Sequence, residues 1–269
     1  MKQRIISGII MLPFLVFLFW GNIPLLLFMM VISGIALWEF YNGYKKTGVK
    51  PSLVLGFVAM IALYAIIIWG EFLNGSGDTY AHLILLWVFC VSVSGVCSSV
   101  FLKDHNILDG PITSLGIFYI PFMISHVVLV DQIEGYSNMV FMIFITAFAT
   151  DICAYFTGYL FGKHKLCPSL SPKKTVEGAI GGTLGSIIFS SVFGYFVFPG
   201  NLIHFIIMGF VGAIFAQVGD LSASAFKRKM GIKDYSNLIP GHGGALDRFD
   251  SVLFTAPFIY YYTIIFLRP

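Results

Sequence analysis

Long apolar runs broken by short polar stretches make up this chain from end to end. A helix needs about 20 mostly apolar residues to cross a bilayer core, within a range near 17–25. Nine segments meet or approach that length: 5–20, 23–38, 53–70, 81–102, 112–130, 138–161, 177–198, 202–226 and 251–267. The first two are short, and only Gly21-Asn22 parts them, close to Pro24. They read either as two spans or as one hairpin that dips partway. The opening run imitates a signal peptide, yet no small-residue cleavage site follows and a second apolar run begins at once. It therefore reads as a retained helix. The pattern predicts an all-α polytopic membrane protein with nine transmembrane helices.

Composition agrees. Of 269 residues, 58% are hydrophobic and 11% charged, and a soluble domain of this length needs far more polar surface. The net charge of +3 and the lack of interleaved aromatic and basic residues exclude a nucleic-acid partner. Four cysteines (Cys90, Cys97, Cys153 and Cys167) show neither a CxxC nor a Cys/His metal spacing. Cys90 and Cys97 would lie roughly 10 Å apart along one helix, too far for a disulfide. All four read as small apolar residues.

Charge placement orients the spans. With the N-terminus in the cytoplasm, 15 of the 16 Lys and Arg residues fall inside, as the positive-inside rule requires. Arg268 falls outside, with Glu71, Asp78, Asp131 and Glu134, and the C-terminus is outside too. The two long loops, 162–176 and 227–250, both face the cytoplasm. No soluble domain, linker or repeat is evident. The chain divides into an N-terminal scaffold of spans, 1–140, suited to lipid access, and a C-terminal catalytic region, 141–269. An integral protein of the inner (plasma) membrane with its chemistry on the cytoplasmic side is expected. Gly158/Gly162 and Gly178/Gly182 have the small-xxx-small spacing of close helix packing and are at most a weak sign of a homodimer.

Acids within spans are expensive and face a cavity or a partner. Asp151 lies in TDICAYFTG. On the eighth span, Gln217, Asp220, Ser224, Lys227 and Arg228 form one polar stripe leading to the cytoplasmic surface. A buried network tying helices together would produce the same stripe. Next come Asp234, Asp247 and Asp250, the last two a helical turn apart, and such close like charges call for a cation. Hard carboxylate ligands without Cys suit Mg²⁺ or Mn²⁺, with room for a second cation. Asp220, Asp247, Asp250 and Asp151 are the candidate ligands.

Pro240-Gly241-His242-Gly243-Gly244 precedes the last span. Its glycines permit unusual backbone angles, and N–H groups at a helix start attract anions. His242 either meets phosphate, moves a proton, or shapes the turn. Lys227, Arg228, Lys229, Lys233 and Arg248 supply charge for a polyphosphate, and Ser171-Pro172-Lys173-Lys174-Thr175 forms a rigid basic turn leading into a helix that starts near Glu177. GYLFGKH, from Gly158, is one residue short of a P-loop and lacks its Ser/Thr, which excludes that kind of ATPase site.

SAFKRKMGIKDYSNLIPGHGGALDRFDS, 224–251, resembles the signature of phosphatidate cytidylyltransferases, also called CDP-diacylglycerol synthases: S-x-x-K-R, K-D, P-G-H-G-G and D-R-x-D follow in order. SPKKTVEG and TDICAYFTG look like family features too, and the resemblance covers roughly the last 120 residues. Ala245 departs from the larger aliphatic residue usual in that family. The resemblance implies a Mg²⁺-dependent reaction of CTP with phosphatidate, giving CDP-diacylglycerol and pyrophosphate. With that reaction, Asp220, Asp247, Asp250, His242 and Lys233 are the candidate catalytic residues. Lys173, Lys174, Ser224, Lys227, Arg228, Gly241, Gly243, Gly244 and Arg248 are the candidate substrate-binding residues. Such chemistry is positioning plus electrostatics. An ion- or proton-coupled transporter is the competing class, disfavoured by the lack of an inverted repeat. A CDP-alcohol phosphotransferase is disfavoured because Ala-Arg does not follow Asp109-Gly110 at its expected spacing. A cytidylyltransferase for another lipid phosphate stays open.

Overall fold

The computed structural model describes residues 16–73, 77–101, 106–238 and 243–268. Among them, eight helices are long and apolar enough to cross a bilayer: α1 Asn22–Lys45, α2 Leu53–Phe72, α3 Gly77–Ser98, α4 Asp109–Asp131, α5 Met139–Phe161, α6 Val176–Val197, α7 Leu202–Lys229 and α8 Leu246–Leu267. Each matches an expected span within a few residues, except α1. The expected span 5–20 lies mostly outside the described residues; its end, 16–20, is helical.

α1 corrects the sequence reading. The apolar window stops at Trp38, but the helix runs on through Glu39, Tyr41 and Tyr44, all buried, to give 24 residues. At 1.5 Å per residue that is about 36 Å, enough for a full crossing. Polar residues continue the helix because they have partners: Tyr41 Oη donates to the Thr113 carbonyl at 2.6 Å. The partial dip therefore does not apply to this segment. Gly21 (φ 58°) precedes it and Asn22 (φ 49°) opens it, both with left-handed backbone angles.

The chain forms two compact units, Met1–Leu129 with Lys229–Arg248, and Val130–Arg228 with Phe249–Pro269. Residues 229–248 group with the first unit although they follow most of the second in the chain. Within that unit, α1–α4 are joined by interhelical hydrogen bonds of the kind a lipid environment favours. Ser33 Oγ and Tyr64 Oη lie 2.8 Å apart, and Trp87 Nε1 donates to the Ala59 carbonyl at 2.8 Å. Asp109 accepts from the Lys50 and Asn106 amides at 2.7 and 2.9 Å, tying the start of α4 to the loop before α2. α4 widens into a five-residue π turn at Phe118–Phe122. Pro121 inside it lacks an N–H and cannot continue the ordinary ladder.

In the second unit, α5 and α6 pack through glycine. A Cβ at Gly182 would sit 2.7 Å from the Thr150 carbonyl, and one at Gly178 would sit 2.8 Å from that of Ala154. The small-xxx-small spacing is thus used within the chain. Between these helices the expected basic turn is a short antiparallel hairpin, β1 Lys165–Cys167 and β2 Ser171–Thr175, pairing Lys165 with Thr175 and Cys167 with Ser171. Thr175 Oγ1 caps α6 by accepting from the Gly178 amide at 3.1 Å. All four cysteines are free.

Candidate active site

Four elements of the second unit surround a cavity of about 530 Å³, α6 contributing Gly178 and Ala179. α5 contributes Thr150, Asp151, Tyr155 and Tyr159; the hairpin contributes Lys165, Lys173 and Lys174; α7 contributes Gln217 and Asp220. Each follows from local sequence. Asp151, Tyr155 and Tyr159 recur every four residues and share one helix face, as do Gln217 and Asp220 three apart. The hairpin brings Lys165, near its start, beside Lys173 and Lys174, near its end.

Several of the cavity's charged groups have partners within the unit. Lys174 Nζ forms an ion pair with Asp220 Oδ2, both side chains half-buried. Asp151 Oδ2 accepts from Ser251 Oγ on α8 at 3.2 Å. Asp250 Oδ1 accepts from the Ser251 amide at 2.8 Å, and Asp250 feels the charges of Asp220, Asp151 and Lys227. Three carboxylates and two lysines thus share one electrostatic neighbourhood. No three of the described His, Cys, Asp and Glu side chains converge on a single point.

The hairpin is held at both ends. Glu177, in the first turn of α6, accepts from the Lys163 amide at 3.1 Å and the His164 amide at 3.2 Å, and its Oε1 lies 2.6 Å from His164 Nδ1. At the tip, Arg228 Nε donates to the Leu170 carbonyl at 3.1 Å. The polar stripe on α7 therefore splits. Gln217 Nε2 donates to Thr183 Oγ1 at 3.1 Å, the helix-tying role that a buried network would give it. Asp220 faces the cavity, Ser224 is buried, Lys227 is half-buried, and Arg228 reaches the hairpin.

The glycine-rich loop and the start of α8 belong to the first unit. Gly241 and His242 lie outside the described residues. Gly243 has φ +83°, a left-handed angle that suits glycine. Asp247 is buried, and its Oδ2 accepts from the Tyr235 amide at 2.8 Å and the Gly244 amide at 2.9 Å. The next two amides, Ala245 and Leu246, donate to Glu39 Oε1 and Oε2 at 3.0 and 2.8 Å, and Ser236 Oγ donates to Glu39 Oε1. Of the expected phosphate cradle, Pro240–Gly244, only Gly243 and Gly244 lie among the described residues. The Gly244, Ala245 and Leu246 amides are already donated to carboxylates of the chain itself. Lys233 is exposed on the same loop, and Arg248 is half-buried, its Nε without a hydrogen-bond partner among the described residues.

Glu39 escaped the sequence reading. It sits one residue past an apolar window and looks like the polar end of a span, although its 1% exposure marks it as buried. A carboxylate adjoining an apolar run is the signal that would have flagged it. In the sequence Lys165 is one of the 15 cations expected inside and Glu177 marks a helix start, with nothing to set either apart.

A model of the cytidylyltransferase family matches residues 2–266. A phosphatidate cytidylyltransferase of Staphylococcus haemolyticus is 34% identical, covering 96% of this chain and 97% of its own. Proteins of the same name from Bacillus subtilis and Haemophilus influenzae are 32% and 30% identical, covering 99% and 97% of this chain and 98% of each relative. Matched over nearly its whole length, the chain belongs to the cytidylyltransferase family.

Proposed function

We propose that the chain transfers the cytidylyl group of CTP to phosphatidate, yielding CDP-diacylglycerol and pyrophosphate. The observation that carries this reading is the end-to-end similarity to proteins named for that activity. The cavity supports it: a phosphate monoester is already a nucleophile, so the site must bring two anions together and balance developing charge. An oxygen of the phosphatidate phosphate forms a bond to the α-phosphorus of CTP as the bond to the β-phosphate oxygen breaks, and pyrophosphate leaves. Lys165, Lys173 and Lys174 on the hairpin would neutralise the phosphates, with Lys227 beside them. Arg228 would hold the hairpin tip rather than a phosphate.

Mg²⁺ fits the donor chemistry. Asp151, Asp220 and Asp250 are hard oxygen donors, the first two in electrostatic reach of the third, and Asp247 lies one helical turn before Asp250. Asp220, Asp247, Asp250 and Asp151 are the proposed ligands on the chemistry of their oxygens. When bound, the ion would stabilise charge on the transferring phosphoryl group and the leaving pyrophosphate.

The charge bias of the loops supports an inner-membrane protein whose site opens to the cytoplasm, where CTP is found. Purified protein in detergent, given CTP, phosphatidate and Mg²⁺, should release pyrophosphate in a phosphatidate-dependent way. Chelation should abolish that release, and added Mg²⁺ should restore it. Asp220→Asn should lose at least about a hundredfold in kcat, as expected when a charge-stabilising group is removed. Wild-type turnover in Asp220→Asn, or in the presence of chelator, would contradict the metal-assisted reading.

A further inference from the structure

We infer that Glu39, on α1, is a positioning residue for Asp247: it locks the backbone from which that carboxylate projects. The inference rests on the reading of Asp247 as a cation ligand.

A helix begins with amides that have no partner within the helix, and its start carries partial positive charge. At the start of α8 two carboxylates share that role. Glu39 takes the Ala245 and Leu246 amides, one with each oxygen, and Asp247 takes the Gly244 and Tyr235 amides through Oδ2. Four amides of one loop are thus fixed by two acids, and Ser236 Oγ binds the first acid from the side. The glycines make room for this arrangement. A Cβ at Gly244 would collide with the Glu39 carboxylate, and one at Gly243 would lie 2.8 Å from Asp247 Oδ2.

A simple helix cap would need one carboxylate. Here Asp247 immediately follows the amides that Glu39 holds, so a shift of the Glu39 carboxylate moves the peptide carrying Asp247. Groups that orient metal ligands in this way typically change metal affinity or activity by about 10–100-fold when altered. Glu39→Gln preserves shape but replaces one acceptor oxygen with an NH₂ that faces a backbone N–H donor. One of the two amides then loses its partner, and the loop must move.

The test measures Mn²⁺ binding to the purified full chain in detergent, without CTP or lipid, by loss of the free-ion EPR signal. It adds steady-state kinetics and thermal midpoints. The wild type should bind Mn²⁺, and Asp247→Asn should bind it more weakly. Glu39→Gln should weaken Mn²⁺ binding by about tenfold and lower kcat by a similar factor, with KM for CTP within about twofold. Ser236→Ala, a milder change, should weaken Mn²⁺ binding by about two- to fivefold, and it carries the test if Glu39→Gln does not fold. A lower thermal midpoint with wild-type Mn²⁺ affinity in Glu39→Gln, or in Ser236→Ala if Glu39→Gln is not obtained, would make Glu39 structural only and overturn the inference. Wild-type Mn²⁺ binding by Asp247→Asn would instead remove the cation role of Asp247, and the inference with it.

Discussion

Lys174 and Asp220 are 46 residues apart in the chain and form one ion pair in the cavity. Each was legible alone, one as a basic residue in a turn, the other as an acid within a span. Their pairing was not, because it depends on how the hairpin folds back onto α7. Truncating Lys174 removes a cation from the cavity and leaves the Asp220 charge without its partner. Lys174→Ala should therefore lower kcat/KM about a hundredfold, the scale of losing one charge-stabilising group. Lys173→Ala, on the exposed side of the same strand, should cost clearly less. Equal losses in the two variants would show that the Lys174–Asp220 pair has no special role. Glu39 was illegible for a related reason: its partners, Ser236, Ala245 and Leu246, lie about 200 residues downstream. Hydropathy windows report the composition of a segment and carry no information about such distant partners.

At the scale of elements, the spans were legible because bilayer thickness fixes how long an apolar helix must be. Their ends were less so. α1 outruns its apolar window because Glu39, Tyr41 and Tyr44 are buried inside the first unit. α8 likewise starts at Leu246, five residues before the apolar run at 251. The 165–175 hairpin was expected only as a rigid basic turn, since three- and five-residue strands carry almost no pattern. The glycines of α5 and α6 were read correctly as packing residues, and their contacts give a direct test. Gly182→Val places a side chain against the Thr150 carbonyl and should destabilise the protein by about 1–3 kcal/mol, the usual cost of overpacking. The thermal midpoint in detergent should fall accordingly. Gly77→Ala, which meets nothing within 4 Å and needs no left-handed backbone, should stay near the wild-type midpoint. Similar midpoints for the two variants would contradict the close α5–α6 packing.

For the whole molecule, the distribution of Lys and Arg predicts a cytoplasmic N-terminus and an external C-terminus. Alkaline phosphatase fused after residue 269 should be active, and a fluorescent protein fused there should be dark. The same reporters inserted in the 162–176 loop should give the reverse. A bright fluorescent C-terminus would overturn the orientation and move the cavity away from the CTP pool. Composition made the membrane class legible at once, and the 224–251 motif made the chemistry legible. The split into units 1–129 with 229–248 and 130–228 with 249–269 was not, because the glycine-rich segment returns to helices that precede it by two hundred residues.

The most direct measurement follows the label from CTP. Purified protein in detergent, with phosphatidate and Mg²⁺, is given CTP labelled at the α-phosphate in one reaction and at the γ-phosphate in another. Nucleotidyl transfer predicts that α-label moves into the lipid fraction as a liponucleotide. It also predicts that γ-label stays in water as pyrophosphate, with one pyrophosphate released per lipid labelled. Transfer of γ-label to lipid, or α-label that never leaves the aqueous phase, would contradict it.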